Sequence, residues 1–275
     1  VVVRIFGQTN YELFMRIWKL IGLILLGISL RLAAQSTITV LTYNIHHGAN
    51  SLDQNNIVQI GRLIRQYSPD IVALQEVDSM TTRSRGQDHL AQLAGMTSMI
   101  PFYGRAINFQ GGGYGLGVLS KYPIVANQKI RLPNPDSTEQ RILLCAYVEL
   151  PNEKTIRLCN AHLDHKSALN RSVQLAAVNV ILENSIQPAI WCGDFNTDPD
   201  DPDIEKLMGN WIDAGKDSRT PTLVGTGARI DYIMTLRNSE LELMRYRVLN
   251  VPKLSDHLPI LATYRFRKAK SDGAK

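Results

Sequence analysis

The chain reads as an α/β or α+β protein, and two observations predict that class. From Ser36 onward, short β-branched or apolar runs of strand length alternate with a few stretches of helical period. A polar side chain then closes several of the strand-like runs. Ile38-Thr39-Val40-Leu41-Thr42-Tyr43 is a strand that feeds Asn44. Ile57, Ile60, Leu63 and Ile64 recur at helical spacing, and Ser68-Pro69-Asp70 closes that helix before the run Ile71-Val72-Ala73-Leu74-Gln75, which ends at Glu76. A second helix is expected over residues 87–93, and strands over 114–119, 142–150 and 155–160. The clearest helix covers 168–182, with Leu169, Val173, Ala176, Ala177 and Val180 expected on its apolar face. Strands over 189–192, 230–234, 243–248 and 260–266 complete the pattern.

The most informative segment is Trp191-Cys192-Gly193-Asp194-Phe195-Asn196. Four further polar signals accompany it: Asn44 in Leu41-Thr42-Tyr43-Asn44-Ile45, Glu76 in Ala73-Leu74-Gln75-Glu76, His162 in Asn160-Ala161-His162-Leu163, and Ser255-Asp256-His257. Asp231, in Arg229-Ile230-Asp231-Tyr232-Ile233, is the sixth. Strand ends let a packed scaffold present several side chains to one point. Singly, each has a bland reading: Asn44 as a turn residue, Asp194 and Asn196 as a turn and helix cap, Asp256-His257 as solvated surface. Jointly, and in this order, they point to one site.

In these residues the chain resembles the endonuclease/exonuclease/phosphatase superfamily of metal-dependent phosphoesterases, over residues 36–267. The resemblance implies a four-layer α/β/β/α sandwich of two mainly antiparallel sheets flanked by helices. It implies that Asn44 and Glu76, with Asp256 near them, bind the metal. Asp194 and Asn196 would handle the attacking water, His162 would contact the scissile phosphate, and His257 with Asp231 would form a His–Asp pair. None of these positions departs from the family pattern.

The chemistry of the residues supports the same roles. Attack on a phosphate ester brings an anionic nucleophile to an anionic centre, so positioning and charge neutralisation dominate. Glu76 and Asp256 are hard oxygen donors suited to Mg²⁺, with Mn²⁺ the alternative, and Mg²⁺ uses few protein ligands. Asp194 is a candidate general base. His162 and His257 are candidate donors to the non-bridging oxygens, and Asp231 would orient His257 and favour its imidazolium.

Length and composition fit one sizeable domain: 275 residues, 44% hydrophobic, with glycine and proline spread out. Residues 1–35 stand apart. Met15-Arg16-Ile17-Trp18-Lys19 is basic, residues 20–30 are apolar, and small residues follow, the pattern of a secretory signal peptide whose translation would start at Met15. An uncleaved N-terminal membrane anchor is the alternative, though the apolar run is short of the ~20 residues of a span. The expected location is therefore secreted or periplasmic. Arg4, Arg16, Lys19 and Arg31 against Glu12 account for most of the net +5, leaving +2 beyond residue 35. The one dense basic run, Arg265-Phe266-Arg267-Lys268-Ala269-Lys270, leads into a basic tail over 268–275. With aromatics at 7%, no basic and aromatic loop for a nucleic-acid groove is evident, so nucleic acid is possible but not favoured. Cys145, Cys159 and Cys192 lie in strand-like runs and are expected to be buried free thiols.

Substrate candidates are Arg83, Arg141, His165 and Lys166, each either a phosphate ligand or a surface ion-pair member. His46 and His47 line the pocket or pack beside it. The run Gln110-Gly111-Gly112-Gly113-Tyr114-Gly115-Leu116-Gly117 lacks the Lys-Ser/Thr ending of a P-loop, which makes nucleotide binding improbable and leaves a structural turn or a substrate contact. The expected function is hydrolysis of a small-molecule or lipid head-group phosphodiester, with no obligate protein partner. A DNase I-like nuclease, or a binding module on the same fold, is the alternative.

Overall fold

The computed structural model describes residues 15–19, 37–50 and 52–267. It separates into two units, residues 1–37 and 38–275. In the first, residues 15–19 are helical; the apolar and small-residue parts of the expected signal segment lie outside the described residues, as does the tail over 268–275. Among the described residues no helix is long and apolar enough to cross a membrane.

Apart from Thr37 at the boundary, two six-stranded sheets lie in the second unit. The first has the order β11-β12-β1-β2-β4-β3, from β1 (Thr37–Asn44), β2 (Ile71–Ser79), β3 (Ile100–Phe109), β4 (Gly112–Ser120), β11 (Leu241–Val248) and β12 (Ile260–Phe266). The second has the order β5-β6-β7-β8-β10-β9, from β5 (Ile124–Arg131), β6 (Ile142–Glu149), β7 (Thr155–His162), β8 (Ala189–Asp194), β9 (Trp211–Asp213) and β10 (Asp231–Leu236). Helices α1 (Ile57–Tyr67), α2 (His89–Thr97), α3 (Ala168–Leu182) and α4 (Pro202–Leu207) complete the unit. Val40, Ala73 and Val118 of one sheet meet Leu144, Leu158, Ile190 and Ile233 of the other in a shared core. A second core lies under α1 and α2, with Ile60 and Leu93 on Leu41 and Leu74, and a third under α3 and α4, with Leu175 and Ile204 in one cluster with Trp191. This is the expected four-layer sandwich.

The sheets share one device. β1 pairs parallel with β2 across a crossover containing α1, and β7 pairs parallel with β8 across a crossover containing α3. A parallel neighbour requires such a crossover, so both strands of a pair end on the same side. Asn44 ends β1 opposite Gln75, and His162 ends β7 opposite Asp194. Between the sheets Gln75 Nε2 donates to Asn160 Oδ1 (2.7 Å) and Thr42 Oγ1 (3.0 Å). Asn160 Nδ2 in turn donates to the carbonyls of Leu74 and Gly117. A polar clasp of this kind sets one sheet's register against the other where an apolar contact would permit sliding.

Three expectations need correction. Cys145 and Cys159 are not free: they face each other across β6 and β7, with Cα atoms 4.1 Å apart, and form a disulfide. Alternation along two strands cannot reveal which residues their register will place opposite each other. Cys192 is a buried thiol, its ionisation pushed up to about 12 by burial. The apolar face of α3 is also different. Asn170, Gln174, Leu175, Val178 and Leu182 are buried, whereas Leu169 and Val180 are 54% and 65% exposed. Two amides turn inward because they have partners: Asn170 Nδ2 reaches Asn134, Thr138 and Asp164, and Gln174 caps the Asp164 N–H and the Pro133 carbonyl. The second helix begins two residues later than expected, at His89, because Asp88 caps it by accepting from the Ala91 N–H (2.9 Å).

The glycine-rich run is structural. Gln110 and Gly111, both at positive φ, turn β3 into β4, which lies between β2 and β3. A Cβ at Gly115 would stand 2.0 Å from the Gly104 carbonyl, so the strand can pass only as glycine.

Candidate active site

Asp194 is the hub of the site. It ends β8 in full burial, and the chain reaches it through Gly193, whose φ is +136° and where a Cβ would meet the Ala161 carbonyl at 1.8 Å. Asn44 Nδ2 donates to Asp194 Oδ2 (3.0 Å), and the Asn196 N–H donates to Asp194 Oδ1 (2.9 Å). Asn196 sits at φ +53° and spends its amide on the Leu163 carbonyl (3.0 Å), which leaves its side-chain oxygen as an acceptor. Two imidazoles flank the carboxylate: His162 Nε2 lies 3.5 Å and His257 Nε2 3.6 Å from Oδ2. Burial, reinforced by the Asp231 charge, pushes the Asp194 carboxyl up to about 7. That range suits a group that accepts and releases a proton near neutrality.

Glu76 comes from a strained position. The β2–β4 register slips between Leu74 and Val77, so Gln75 and Glu76 form a bulge and Glu76 has φ +59°. A bulge re-aims a side chain that the strand's alternation would send elsewhere, and left-handed non-glycine residues cluster at functional sites. Glu76 Oε1 accepts from Asn44 Nδ2 (3.1 Å), and its Oε2 lies 4.0 Å from His47 Nδ1. Burial alone would raise its pKa; the hydrogen bonds of His47 and Asn44 and the charge of His257 outweigh burial and hold the carboxyl well below the usual range. Asn44 carries two amide hydrogens, which Glu76 and Asp194 take, so its 3.4 Å approach to His257 Nε2 is a contact rather than a third bond.

His257 is tied to carboxylates. Its Nδ1 bonds Asp231 Oδ2 at 2.9 Å, and Ser255 Oγ bridges its N–H and the Asn44 carbonyl. Burial would lower its pKa, but Asp231, Asp194 and Asp256 raise it to about 10, which makes it an imidazolium at neutral pH. Asp256 is about half exposed and stands 3.8 Å from His46 Nε2. His162 is the opposite case. It is buried, and its Nδ1 faces the guanidinium of Arg141 at 3.2 Å. Burial and the Arg141 charge hold it well below the ordinary histidine range.

The structure thus brings Asn44, Glu76, His162, Asp194, Asn196, Asp231, Asp256 and His257 into one connected cluster, with His46 and His47 at its edge. The remaining candidates differ. Arg83 forms a bidentate pair with buried Asp78 (2.6 and 2.9 Å) and lies over the rings of Phe109 and Tyr114. Arg141 is only 4% exposed and sits beneath the histidines. His165 accepts from Arg141 at 3.0 Å, and His165 and Lys166 are exposed. Three contributors were given no role in the sequence reading. Glu139 pairs with Arg141 at 2.8 Å, Asp164 latches the loop after β7, and Ser255 ties His257 to β1. Ser255 was visible in its motif; Glu139 and Asp164 look like ordinary surface carboxylates until the fold pairs them.

Residues 41–257 match the sequence profile of the Endonuclease/Exonuclease/phosphatase family. The chain belongs to that family. Its members are hydrolases acting on phosphoesters, and the family is metal-dependent. The chain is 31% identical to the Escherichia coli protein YbhP over 175 residues, 59% of this chain and 68% of that one. Among solved structures it is similar to an endonuclease/exonuclease/phosphatase from Beutenbergia cavernae, with TM-score 0.70, 21% identity, and 85% of this chain and 72% of that one covered. It is also similar to a mannosyl-6-phosphatase from Bacteroides thetaiotaomicron, with TM-score 0.69, 20% identity, and coverage of 83% and 100%. In this family member Asp194, Asp231 and His257 offer ligand atoms within 4.8 Å of one another, so a cation could be held there. Several of those atoms are committed, however: Asp231 Oδ2 to His257, and both oxygens of Asp194 to Asn44 and Asn196.

Proposed function

We propose that the protein is an exported, Mg²⁺-dependent phosphodiesterase acting on a small-molecule or lipid head-group ester, by in-line attack of a water activated at Asp194. The observation that carries this reading is the convergence on Asp194: a buried carboxylate with an elevated pKa, flanked within 3.6 Å by two imidazoles of different charge. Asp194 takes the proton of the water and Asn196 orients it. His257, charged, and His162, neutral, donate to the phosphate oxygens as negative charge develops.

The donor set fits a hard cation. Glu76 is held ionised, Asn44 Oδ1 keeps a lone pair beyond the one it gives to the His46 N–H, and Asp256 is accessible. These three would hold the metal, which supplies charge neutralisation at the phosphate. Carboxylates border the site, Asp256 beside His46, Asp53 beside His47 and Glu139 beside Arg141, which suits a polyanionic duplex poorly. The phosphatase among the structural relatives agrees with a small ester, and a disulfide agrees with an oxidising compartment.

The test is a panel of bis-p-nitrophenyl phosphate, phospholipids including sphingomyelin, sugar and inositol phosphates, and plasmid DNA, with Mg²⁺ and with chelator. Metal-dependent release from a diester of the lipid or small-molecule class, lost in Asp194→Asn, is expected. Nicking of DNA with silence on the other substrates would replace this substrate assignment with a nuclease.

A further inference from the structure

The two histidines beside Asp194 have partners of opposite charge, and the arginine side is chemically the stricter. A guanidinium carries five N–H donors and no acceptor, and it does not deprotonate in proteins. Any nitrogen that accepts from it must therefore present a lone pair. Arg141 Nη1 lies 3.2 Å from His162 Nδ1, and Nη2 lies 3.0 Å from His165 Nδ1. Both Nδ1 atoms are then acceptors, and both rings are neutral with their single proton on Nε2. For His162 that proton is on the nitrogen facing Asp194, 3.5 Å from Oδ2.

Arg141 is itself fixed. It is 4% exposed, Nη1 also pairs with Glu139 Oε1 at 2.8 Å, and it directly precedes β6. The loop that carries His165 is latched to the same region. Asp164 Oδ1 accepts the N–H groups of Lys166 (2.7 Å) and Ser167 (2.8 Å), and its Oδ2 accepts from Thr138 and from Asn170 (3.1 Å). The guanidinium and both imidazoles are thus held by backbone on either side, and the fork reaches the two rings at once.

We propose that Arg141 is a positioning residue rather than a substrate ligand: it locks His162 and His165 as neutral Nε2–H tautomers, aligning two hydrogen-bond donors on the phosphate-facing side of the site. His162 donates at the scissile group. His165, exposed, donates to an oxygen of the substrate beyond it. The tautomer assignment stands on the geometry alone, while the benefit to catalysis rests on the phosphoesterase reading.

The experiment is ¹⁵N NMR of histidine-labelled full-length protein at about pH 8, above the ordinary histidine range. His162→Gln and His165→Gln assign the signals. Both rings are expected as neutral Nε2–H tautomers in the unmodified protein. A His162 signal showing Nδ1–H or an imidazolium overturns the proposal whatever the variants do. Arg141→Met should release both rings into mixed tautomers and lower kcat ~10- to 100-fold with KM within about threefold, and Arg141→Lys should recover part of both readouts. Unchanged tautomers in Arg141→Met, with KM raised tenfold or more at constant kcat, would make Arg141 a direct substrate ligand and sink the assignment. If no tested ester is hydrolysed, the tautomer spectra still decide Arg141's role, so the two ideas fail separately. If Arg141→Met does not fold, the spectrum of the unmodified protein decides.

Discussion

His257 and His162 approach the same carboxylate oxygen at 3.6 and 3.5 Å, yet the fold gives them opposite characters. His257 lies against Asp231 with Asp256 beside it and is held as a cation; His162 lies against Arg141 and is held neutral. Identical side chains at nearly equal distances from one base are therefore differentiated by the atom behind each ring. A carboxylate behind Nδ1 demands a proton there, and a guanidinium forbids one. The site thereby holds one charged and one neutral imidazole around Asp194, without placing two like charges side by side.

The largest test of this contrast removes its centre. Asp194→Asn and His257→Ala should each lower kcat by at least ~10²-fold with the fold retained by circular dichroism. Losses below tenfold for both would show that neither group acts in the chemical step. Next, Asp231→Asn should cost ~10- to 100-fold by withdrawing the charge that holds the His257 proton. The sign follows from the two shifts. Asp194 must be ionised, so the rate rises with pH through about 7; His257 must be protonated, so it falls through about 10. Asp231→Asn should move the alkaline limb down toward the ordinary histidine range and leave the acid limb at or below its place, since the Asp231 charge helped raise Asp194. An alkaline limb that stays near 10 would detach it from His257.

A smaller effect is expected from Glu76→Gln, which should raise the Mg²⁺ concentration for half-maximal rate at least ~10-fold while kcat at saturating metal changes less. Unchanged metal dependence would redirect the cation to the Asp194, Asp231 and His257 group. Smallest is the latch on the His162 side. Hydrogen bonds from Thr138, Ser167, Asn170 and Lys166 outweigh burial and hold the Asp164 carboxyl well below the usual range. It therefore stabilises the fold above the ordinary aspartate pKa, and that contribution is lost as pH falls through the folded value. Asp164→Asn should cost about 1–3 kcal/mol in denaturant unfolding at pH 7, with the difference shrinking in acid. A difference that grows in acid would contradict a depressed Asp164.

The sequence by itself determined the elements that bury a repeated apolar pattern and the residues that end them. Strands β1, β2, β4, β6, β7, β8, β10, β11 and β12 and helices α1 and α3 were legible because each is a local run of strand or helix character between turn signals. Asn44, Glu76, His162 and Asp194 were legible because each lies within or at the end of such a run, and Asp231 and Asp256-His257 because each stands at or just before the start of one, in a recognisable order. The edge strands β3 and β5 were not: β3 contains Pro101 and Gly104, and β5 is exposed along most of its length, so backbone pairing rather than an apolar stripe defines them. The Cys145–Cys159 bond depends on the register of two strands, and the inward face of α3 on where Asn170 and Gln174 find partners. Only the tertiary structure decided the charge of His162, whereas the imidazolium of His257 was expected from its Asp231 partner. Protonation is set by the atom a few ångströms away, and for His162 that atom belongs to a residue 21 positions earlier in the chain.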